Sequence, residues 1–431
     1  MEGKLKNENC KLQIANWGRQ RSPSVDDCRA TGILRFSIFH FQFSIPLLLL
    51  ALLSASTFAA DPAPKLAPPG PESWPTFRNG PHQLGVATTK LPKKLELLWT
   101  RQAGKKDGMI KSTAAIVGGR VYEASLNGEV FCLDLKTGER KWTYKSREVE
   151  NPNTFIPGFK AAVAVTADAV YIGDEEGWFH AIDRATGKAK WKPFEAQAEI
   201  SSCANFYEDK VLFTSHDNSL YCLNTADGSK AWQYETKGQV YTSPPVVGDH
   251  TFVAGCDEHL RVINIKTGDE ESDMPFGIQL ISSPAVIDNL LYVGTYGNEV
   301  LAVDWKASAR VWTYTGAKAR YDSSAAVTDK YVIAGAQDKR LHCINRKTGD
   351  GVWMFTTKAH VDSSPVVVGD RVFVGSNDGN LYGIDLDSGK EVFRFRDVDG
   401  RAFSASPAVG EGCLVIGSES NTGNIYCFGA K

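Results

Sequence analysis

The stretch SSPVVVGDRVFVGSNDGNLYGIDLDSGKEVF, residues 363–393, is one complete unit of a repeat that extends from about residue 112 to the C-terminus. Its short runs of β-branched and aromatic residues are separated by turns rich in Gly, Asp and Asn, a pattern that predicts four antiparallel strands. The turn before the last strand recurs from Thr137-Gly138 to Ser388-Gly389 at intervals of 49, 41, 40, 40, 41 and 40 residues. Four short strands at so regular a period predict the blades of a β-propeller.

The repeats predict an all-β fold, an eight-bladed β-propeller of four-stranded antiparallel blades over residues 95–431. The predicted blades begin near Ser112, Lys160, Ser201, Thr242, Ser282, Ser323, Ser363 and Ser404. The last blade has only three clear strands, and the third of them ends at Phe428. Residues 95–100 carry a Trp in the outer-strand pattern, so we expect this N-terminal strand to complete the blade and close the ring, which removes an exposed sheet edge.

An aromatic residue recurs on the predicted outer strands. These aromatics are Trp99, Trp142, Trp191, Trp232, Trp312, Trp353 and Phe393. We expect each ring to wedge between neighbouring blades, where it buries a large apolar area. The fourth blade departs from the pattern with Ser272 in the aromatic position, and the fifth has Ala307-Ser308 in place of Thr-Gly, so these two blades are expected to pack differently. Residues that recur in nearly every blade are interpreted as structural and not as catalytic.

The N-terminal part of the chain predicts export. Residues 44–59 form an apolar run that ends in small residues, which is typical of a signal peptide cleaved after Ala59 or Ala60. The run is too short for a comfortable membrane span, so the mature chain is expected to lack a transmembrane anchor and to be periplasmic or secreted. Residues 1–60 are therefore assigned to a signal peptide with an N-terminal extension, with translation expected to start nearer Leu34. Residues 61–94 are assigned to a Pro-rich linker and lead-in.

Charge and cysteine content exclude several classes of site. The chain has 48 basic and 50 acidic residues, which does not favour nucleic-acid binding. Seven cysteines follow the predicted cleavage site, an odd number without a spacing pattern, and this favours buried free thiols over a disulfide framework. Neither Cys-x-x-Cys nor a His cluster with zinc spacing occurs, so no metal site is predicted.

Residues 181–191, AIDRATGKAKW, closely resemble the tryptophan-docking motif of pyrroloquinoline quinone (PQQ) dehydrogenase propellers. Residues 372–385 resemble the same repeat, and residues 74–81, WPTFRNGP, are similar to the lead-in of secreted bacterial proteins of this PQQ-like group. The resemblance covers residues 95–431 and implies an eight-bladed propeller. A dehydrogenase of the family would hold PQQ with calcium, but the adjacent cysteines and long loops of those enzymes are missing here.

The compact blades look more like BamB-type propellers, which belong to the outer-membrane β-barrel assembly machinery, bind partners and catalyse nothing. That resemblance implies a protein partner in an envelope assembly. BamB is a lipoprotein, whereas no Cys lies at the predicted cleavage site of this chain.

Residues that precede the first strand of each blade are expected to ring one mouth of the central channel. They are Lys111, Lys160, Glu199, Tyr241, Arg320, Asp322, His360, Asp362 and Arg401. Such a polar ring could hold an anionic ligand or a loop of a partner, or it could simply line a hydrated channel. The insertion at residues 146–159, which explains the single 49-residue interval, is a second candidate surface or an ordinary solvated loop.

The preferred hypothesis is an exported, monomeric, non-catalytic scaffold that binds a partner or ligand at the channel mouth, without catalytic residues and without a cofactor. The alternatives are a PQQ-dependent quinoprotein dehydrogenase with calcium and a carbohydrate- or polymer-binding propeller. For the polymer-binding alternative, exposed Trp or Tyr side chains on one face would be the distinguishing feature.

Overall fold

The computed structural model describes residues 66–104, 106–147 and 154–431. The predicted signal peptide, its cleavage site and residues 148–153 of the predicted insertion lie outside the described residues. All regular secondary structure within the described ranges is β, and no helix there could span a membrane.

The strands form eight antiparallel four-stranded blades, which confirms the predicted fold class. Blade one comprises Ala115–Ile116, Arg120–Ala124, Glu129–Asp134 and Arg140–Lys145, and blade two comprises Ala164–Val165, Ala169–Gly173, Trp178–Asp183 and Phe194–Glu195. Blade three comprises Asn205–Tyr207, Lys210–Ser215, Ser219–Asn224 and Lys230–Glu235, and blade four comprises Val246–Val247, His250–Ala254, His259–Asn264 and Glu270–Pro275. Blade five comprises Ala285–Ile287, Leu290–Gly294, Val300–Asp304 and Ala309–Tyr314, and blade six comprises Ala326–Val327, Tyr331–Ala336, Arg340–Asn345 and Gly351–Thr356. Blade seven comprises Val366–Val368, Arg371–Gly375, Asn380–Asp385 and Glu391–Arg396, and blade eight comprises Ala408–Gly410, Cys413–Gly417, Asn424–Gly429 and the N-terminal strand Glu96–Gln102.

Blade eight is closed by the N-terminal strand, as predicted. Glu96–Gln102 pairs antiparallel with Asn424–Gly429, with Trp99 opposite Cys427. The two ends of the repeat region are therefore held in one sheet, and the ring has no open blade.

Each tryptophan of the docking pattern lies between its own blade and the next. The indole N–H of Trp99 donates to the Leu135 carbonyl at 2.9 Å. The same bond is made by Trp142, Trp191, Trp232, Trp312 and Trp353 at 2.8–3.3 Å. Phe393 has no N–H group, and its ring instead meets Phe428 of blade eight, with centroids 5.8 Å apart.

The turn glycine lies directly beneath the indole of the preceding blade. A Cβ added to Gly349 would lie 2.9 Å from the Trp312 ring, and one added to Gly138 would lie 2.7 Å from Trp99. Glycine is therefore required at these turns for space as well as for its positive φ, which is +80° at Gly349.

The two departures from the repeat face each other across one interface. Ser272 of blade four lies opposite Ser308 of blade five, with their hydroxyl oxygens 3.0 Å apart. Ser308 keeps the positive φ of the turn, +51°, although it carries a Cβ. The Cβ is tolerated because the residue facing it is a serine and not a tryptophan.

Paired hydroxyls at the start of the inner strands join the blades around the channel. The first hydroxyl bonds within its own blade, as Thr242 does to the Ala254 carbonyl at 2.8 Å. The second accepts the backbone N–H of the preceding blade's equivalent residue. These bonds run from Cys203 to Ser243, Ser243 to Ser283, Ser283 to Ser324, Ser324 to Ser364 and Ser364 to Ser406. We call these five bonds the serine belt.

The lead-in runs through the ring and not beside it. Trp74, which is fully buried, exchanges backbone hydrogen bonds of 2.8 and 2.9 Å with Ile116 of blade one. Further carbonyls of the lead-in accept backbone N–H groups of later blades: Pro75 from Val165, Pro81 from Val246, His82 from Val286, Leu84 from Val327 and Gly85 from Val367. Val86–Ala87 then adds a fifth, parallel strand to blade seven. The lead-in thus occupies the end of the channel where the inner strands finish.

Candidate functional site

The opposite end of the channel holds a small polar cavity of about 190 Å³. Its wall is made by Lys111, Thr113, Lys160, Ala162, Ser201, Cys203, Tyr241, Ser243, Ile281, Ser283, Asp322, Ser324, Asp362, Ser364 and Ser406, and its remaining lining residue is Phe77 of the lead-in. All eight inner strands begin at this end of the channel. The residue before each inner strand therefore lies here, and the cavity is built from a position that recurs in every blade.

Five of the nine predicted mouth residues line this cavity: Lys111, Lys160, Tyr241, Asp322 and Asp362. Glu199 and Arg320 do not line it but form ion pairs with residues that do. His360 and Arg401 reach neighbouring loops through their backbones, where the His360 carbonyl accepts the Asn377 N–H and the Arg401 N–H donates to Asp397. Their role in binding remains a prediction.

The basic side of the mouth is neutralised locally. The Lys160 ammonium lies 2.9 Å from Glu175 and 3.2 Å from Glu199, and Lys111 lies 3.7 Å from Glu419. Burial raises the pKa of Glu199, although Lys160 opposes this shift. The positive field expected from these lysines is therefore weakened by acids of the same and neighbouring blades.

The acidic side is paired in the same way. Arg320 Nε lies 2.9 and 3.1 Å from the two carboxylate oxygens of Asp322, which also accepts a bond from Gln337. Burial raises the pKa of Asp322, against the effect of Arg320. Asp362 accepts a 2.6 Å bond from the Asn377 side chain. Asp322 is therefore paired with a cation, whereas Asp362 is bonded only to an amide, and its second carboxylate oxygen has no partner among the described residues.

A fixed spacing of fifteen residues in the sequence identifies further side chains at the mouth. Side chains at the mouth repeatedly contact the residue fifteen positions later, at the end of the second strand. The pairs are Lys160 with Glu175, Ser201 with His216, Asp322 with Gln337, Asp362 with Asn377 and Ser404 with Glu419. The spacing is the length of one inner hairpin, and it would have added Glu175, His216, Gln337, Asn377 and Glu419 to the predicted set.

The Ser201–His216 pair is the only mouth contact among the described residues that joins a hydroxyl to an imidazole. Ser201 Oγ lies 2.7 Å from His216 Nε2, and the imidazole stands edge-on to Tyr241, with ring centroids 4.4 Å apart. Burial, helped by Lys160, lowers the pKa of His216 to about 4. A general base works best with a pKa near the operating pH, so this histidine is a poor one at neutral pH.

The mouth does not fit a bound quinone with a calcium ion. Its cavity of about 190 Å³ is smaller than the roughly 300–1,000 Å³ typical of cofactor sites, and the lead-in fills the far end of the channel. Of the two carboxylates that could bind a cation, Asp322 is already paired with Arg320, and Asp362, bonded to Asn377 through one oxygen, is the only one with a free buried oxygen at the described mouth. In the described part of the chain, no three acidic, His or Cys side chains are grouped to hold a metal.

The other predicted surfaces offer little for a polymer. Of the insertion, the described residues include Phe155, which is 62% exposed, and Arg147, which lies 2.6 Å from Glu176. The other strongly exposed aromatic in the described ranges is Tyr296, at 48%. No row of exposed tryptophans is present there to stack on sugar rings.

The seven cysteines of the described residues are free thiols.

Solved structures of two kinds of protein share the fold of this chain. The protein resembles the crystal structure of BamB from Moraxella catarrhalis, with a TM-score of 0.63 and 20% identity over 78% of this chain and 98% of that one. It also resembles a europium-containing methanol dehydrogenase, with a TM-score of 0.71 and 13% identity over 84% and 98% of the two chains. At these identities the likeness shows the propeller fold alone.

Sequence relatives come from both groups as well. The outer membrane protein assembly factor BamB of Xanthomonas campestris is 25% identical over 60% of this chain and 68% of its own length. A quinoprotein ethanol dehydrogenase of Pseudomonas putida is also 25% identical, but over 44% of this chain and only 30% of the enzyme.

A protein-family model matches almost the whole ring, at residues 96–193, 194–330 and 317–427. That model is described as outer membrane protein assembly factor BamB, and its three matches span all eight blades. The chain therefore belongs to the BamB family of PQQ-like β-propellers.

Proposed function

We propose that this protein is a non-catalytic scaffold of the cell envelope that binds a protein partner over the channel mouth. The carrying observation is the mouth itself, a cavity of about 190 Å³ in which Lys160 and Asp322 are paired with charged neighbours and one oxygen of Asp362 is buried without a partner among the described residues. Paired polar groups around a shallow depression suit the rim of a protein interface, where hydrogen bonds and shape set specificity.

The family supports the kind of partner. Relatives in Xanthomonas campestris and Shewanella oneidensis carry the name outer membrane protein assembly factor. By analogy, the partner would be a periplasmic domain of the outer-membrane assembly machinery, and the chain would act in the periplasm after removal of its signal peptide.

The proposal is tested by calorimetric titration of the mature chain with the purified periplasmic domain of the outer-membrane assembly protein from the same organism. Replacement of Lys160 and Tyr241 by Ala should weaken binding at least tenfold, because both side chains line the mouth. Lys266→Ala is the control: this lysine is on the outer rim and, like Lys160, is paired with a carboxylate, Asp249, at 2.7 Å. If the mouth variants and Lys266→Ala bind the partner with equal affinity, and all keep the melting temperature of the original chain, the mouth is not the interface.

A quinoprotein dehydrogenase is the second candidate, favoured by the match to quinoprotein ethanol dehydrogenase. It is tested by titrating the mature chain with PQQ in the presence of calcium. Tight one-to-one binding would replace the scaffold proposal, and a dehydrogenase screen over alcohols and sugars would follow. Absence of heat at high protein concentration would support the scaffold.

A further inference from the structure

Two of the seven cysteines lie together in blade eight, the blade that closes the ring. Cys413 is the first residue of its second strand, and Cys427 lies in the third strand, between Val415 and Trp99. Cys427 is buried, whereas Cys413 is partly exposed. Neither cysteine lines the channel mouth, so this pair has no part in the site described above.

The strand register places the two side chains on one face of the sheet. Because Val415 lies opposite Cys427, residue 413 lies opposite residue 429, two positions further along the third strand. Side chains two positions apart point to the same face, so Cys413 and Cys427 are diagonal neighbours. The residue opposite Cys413 is Gly429, and a Cβ added to it would lie 3.4 Å from Cys413 Sγ. Position 429 therefore puts no side chain between the two thiols.

Blade one shows that this diagonal brings the two positions into contact. Arg120 is the first residue of the second strand there, and its Nη1 lies 3.6 Å from Sγ of the third-strand Cys132. The third-strand cysteines of both blades lie opposite a docking tryptophan, so the positions are equivalent. In blade eight the place of the arginine is taken by Cys413, and the residue that reaches the buried thiol is a second thiol.

The thiols of Cys413 and Cys427 are hydrogen-bonded to each other. This bond lowers the pKa of Cys413, against the effect of burial, and it raises the pKa of Cys427, where burial acts in the same direction. The equivalent Cys222 of blade three is an ordinary buried thiol, and burial raises its pKa to about 12. Because the thiolate is the nucleophile in thiol–disulfide exchange, the partly exposed Cys413 is the thiol that reacts first.

We propose that Cys413 and Cys427 are a redox-active dithiol, which an external disulfide oxidises to an intramolecular disulfide. The Cys413 thiolate attacks one sulfur of the external disulfide, forms a mixed disulfide and releases one thiolate. Cys427 then loses its proton, attacks Cys413 Sγ and releases the second thiolate of the oxidant. The two cysteines are thereby oxidised, and the external disulfide is reduced to two thiols.

Closing this bond requires a shift at the end of one strand, since bonded sulfur atoms are about 2.0 Å apart. Cys413 is suited to such a shift because it begins its strand directly after Gly412. The φ of Gly412 is +78°, and a Cβ added to it would meet nothing within 4 Å. The disulfide would join the second and third strands of the blade that holds the N-terminal strand.

The test treats the reduced mature chain with oxidised glutathione at neutral pH, followed by alkylation under denaturing conditions, proteolysis and mass spectrometry. We expect a disulfide between Cys413 and Cys427 in most molecules, with Cys132, Cys222 and Cys343 alkylated. Alkylation of both Cys413 and Cys427 would overturn the proposal, because neither thiol would then have reacted. Glutathione retained on Cys413 would overturn it as well, because Cys427 would not have completed the bond.

Two variants establish the order of reaction. Cys427→Ala should hold one glutathione on Cys413, whereas Cys413→Ala should leave the buried Cys427 unmodified in the folded chain. If Cys427→Ala keeps the melting temperature of the original chain and takes up no glutathione at Cys413, then Cys413 is not the attacking thiol and the proposal fails.

Cys222→Ala is the matched control, since it removes the equivalent buried thiol of blade three. It should form the disulfide in the same yield as the original chain. Loss of the disulfide in this variant too would mean that the yield reports the stability of the chain and not the position of the two thiols, which would also overturn the proposal. None of these results depends on a partner at the channel mouth, so they do not bear on the proposed function.

Discussion

Glu123 is a buried acid in a ring whose other buried positions are mostly apolar. It lies in the second strand of blade one with no exposed surface, and it accepts bonds from the Ser112 hydroxyl and the Ala124 N–H. Its second carboxylate oxygen has no partner among the described residues. Burial raises the pKa of Glu123 to about 8, because the charged form loses its hydration there.

This shift predicts a pH dependence of folding stability. The folded state keeps the Glu123 proton up to about pH 8, whereas the unfolded chain releases it near the ordinary value of 4.5. The contribution of Glu123 to stability should therefore be fully present below about pH 4.5 and should be lost between there and pH 8, by up to about 1.4 kcal/mol per pH unit. Glu123→Gln should make this fall in stability shallower in urea unfolding measured from pH 5 to pH 8.5, because Glu199 and Asp322, whose pKa values are also raised, remain.

Glu129→Gln, in the next strand of the same blade and partly exposed, is the control for that measurement and should keep the slope of the original chain. Identical slopes for the original chain and Glu123→Gln would mean that Glu123 is ionised when folded.

Trp312 allows the docking contact to be divided into packing and hydrogen bonding. Trp312→Ala should lower the free energy of unfolding by about 3–5 kcal/mol, because a buried aromatic leaves a cavity over Gly349. Trp312→Phe keeps most of the ring and loses the 2.9 Å bond to Arg346, so its effect should be smaller, about 1–2 kcal/mol. Denaturant unfolding measures both. If Trp312→Ala lowers the free energy of unfolding no more than a surface substitution does, Trp312 does not hold the two blades together.

At the scale of elements, the lead-in is the clearest case of a segment whose composition hides its role. It is rich in proline and glycine and has only one short strand, Val86–Ala87, yet its backbone bonds to seven blades, including blade eight, where the Glu72 carbonyl accepts the Glu411 N–H. Since those bonds lie at the far ends of the inner strands, the lead-in braces the ring from inside the channel.

A mature chain that begins at Leu91 keeps the closing strand Glu96–Gln102 and lacks the bracing segment. We expect it to fold with a melting temperature at least 10 °C below that of a chain beginning at Leu66, because it loses buried Trp74 and the hydrogen bonds to the inner strands. Differential scanning calorimetry of the two chains measures this. Equal melting temperatures would show that the lead-in does not stabilise the ring.

At the scale of the whole molecule, the serine belt links blades three to eight along the inner strands of the ring. Ser324→Ala would leave the buried Ser283 N–H without its 3.0 Å acceptor, which should cost about 1–3 kcal/mol of unfolding free energy. Ser229→Ala, in an outer turn, removes only bonds to Asn224 and Asp227 on an exposed surface and should cost less than about 0.5 kcal/mol. Similar losses in urea unfolding would argue against the belt.

Much of this architecture follows from local patterns. The strand alternation, the turns and the spacing of near forty residues depend only on neighbouring positions, so the eight blades, the closing strand and the outer aromatics could be predicted from the sequence. The mouth could be located as well, because one position per blade is enough to define an end of the channel. Five of its nine predicted residues line the cavity.

Contacts across the ring could be established only from the tertiary structure. The serine belt and the path of the lead-in depend on how each blade is rotated against the next, which no single repeat specifies. Ser272 and Ser308 illustrate the difference. In the sequence they are two unrelated departures thirty-six positions apart, and in the ring their hydroxyls lie 3.0 Å from each other. Repetition along the chain determined the blades, whereas packing between blades decided which exceptions meet.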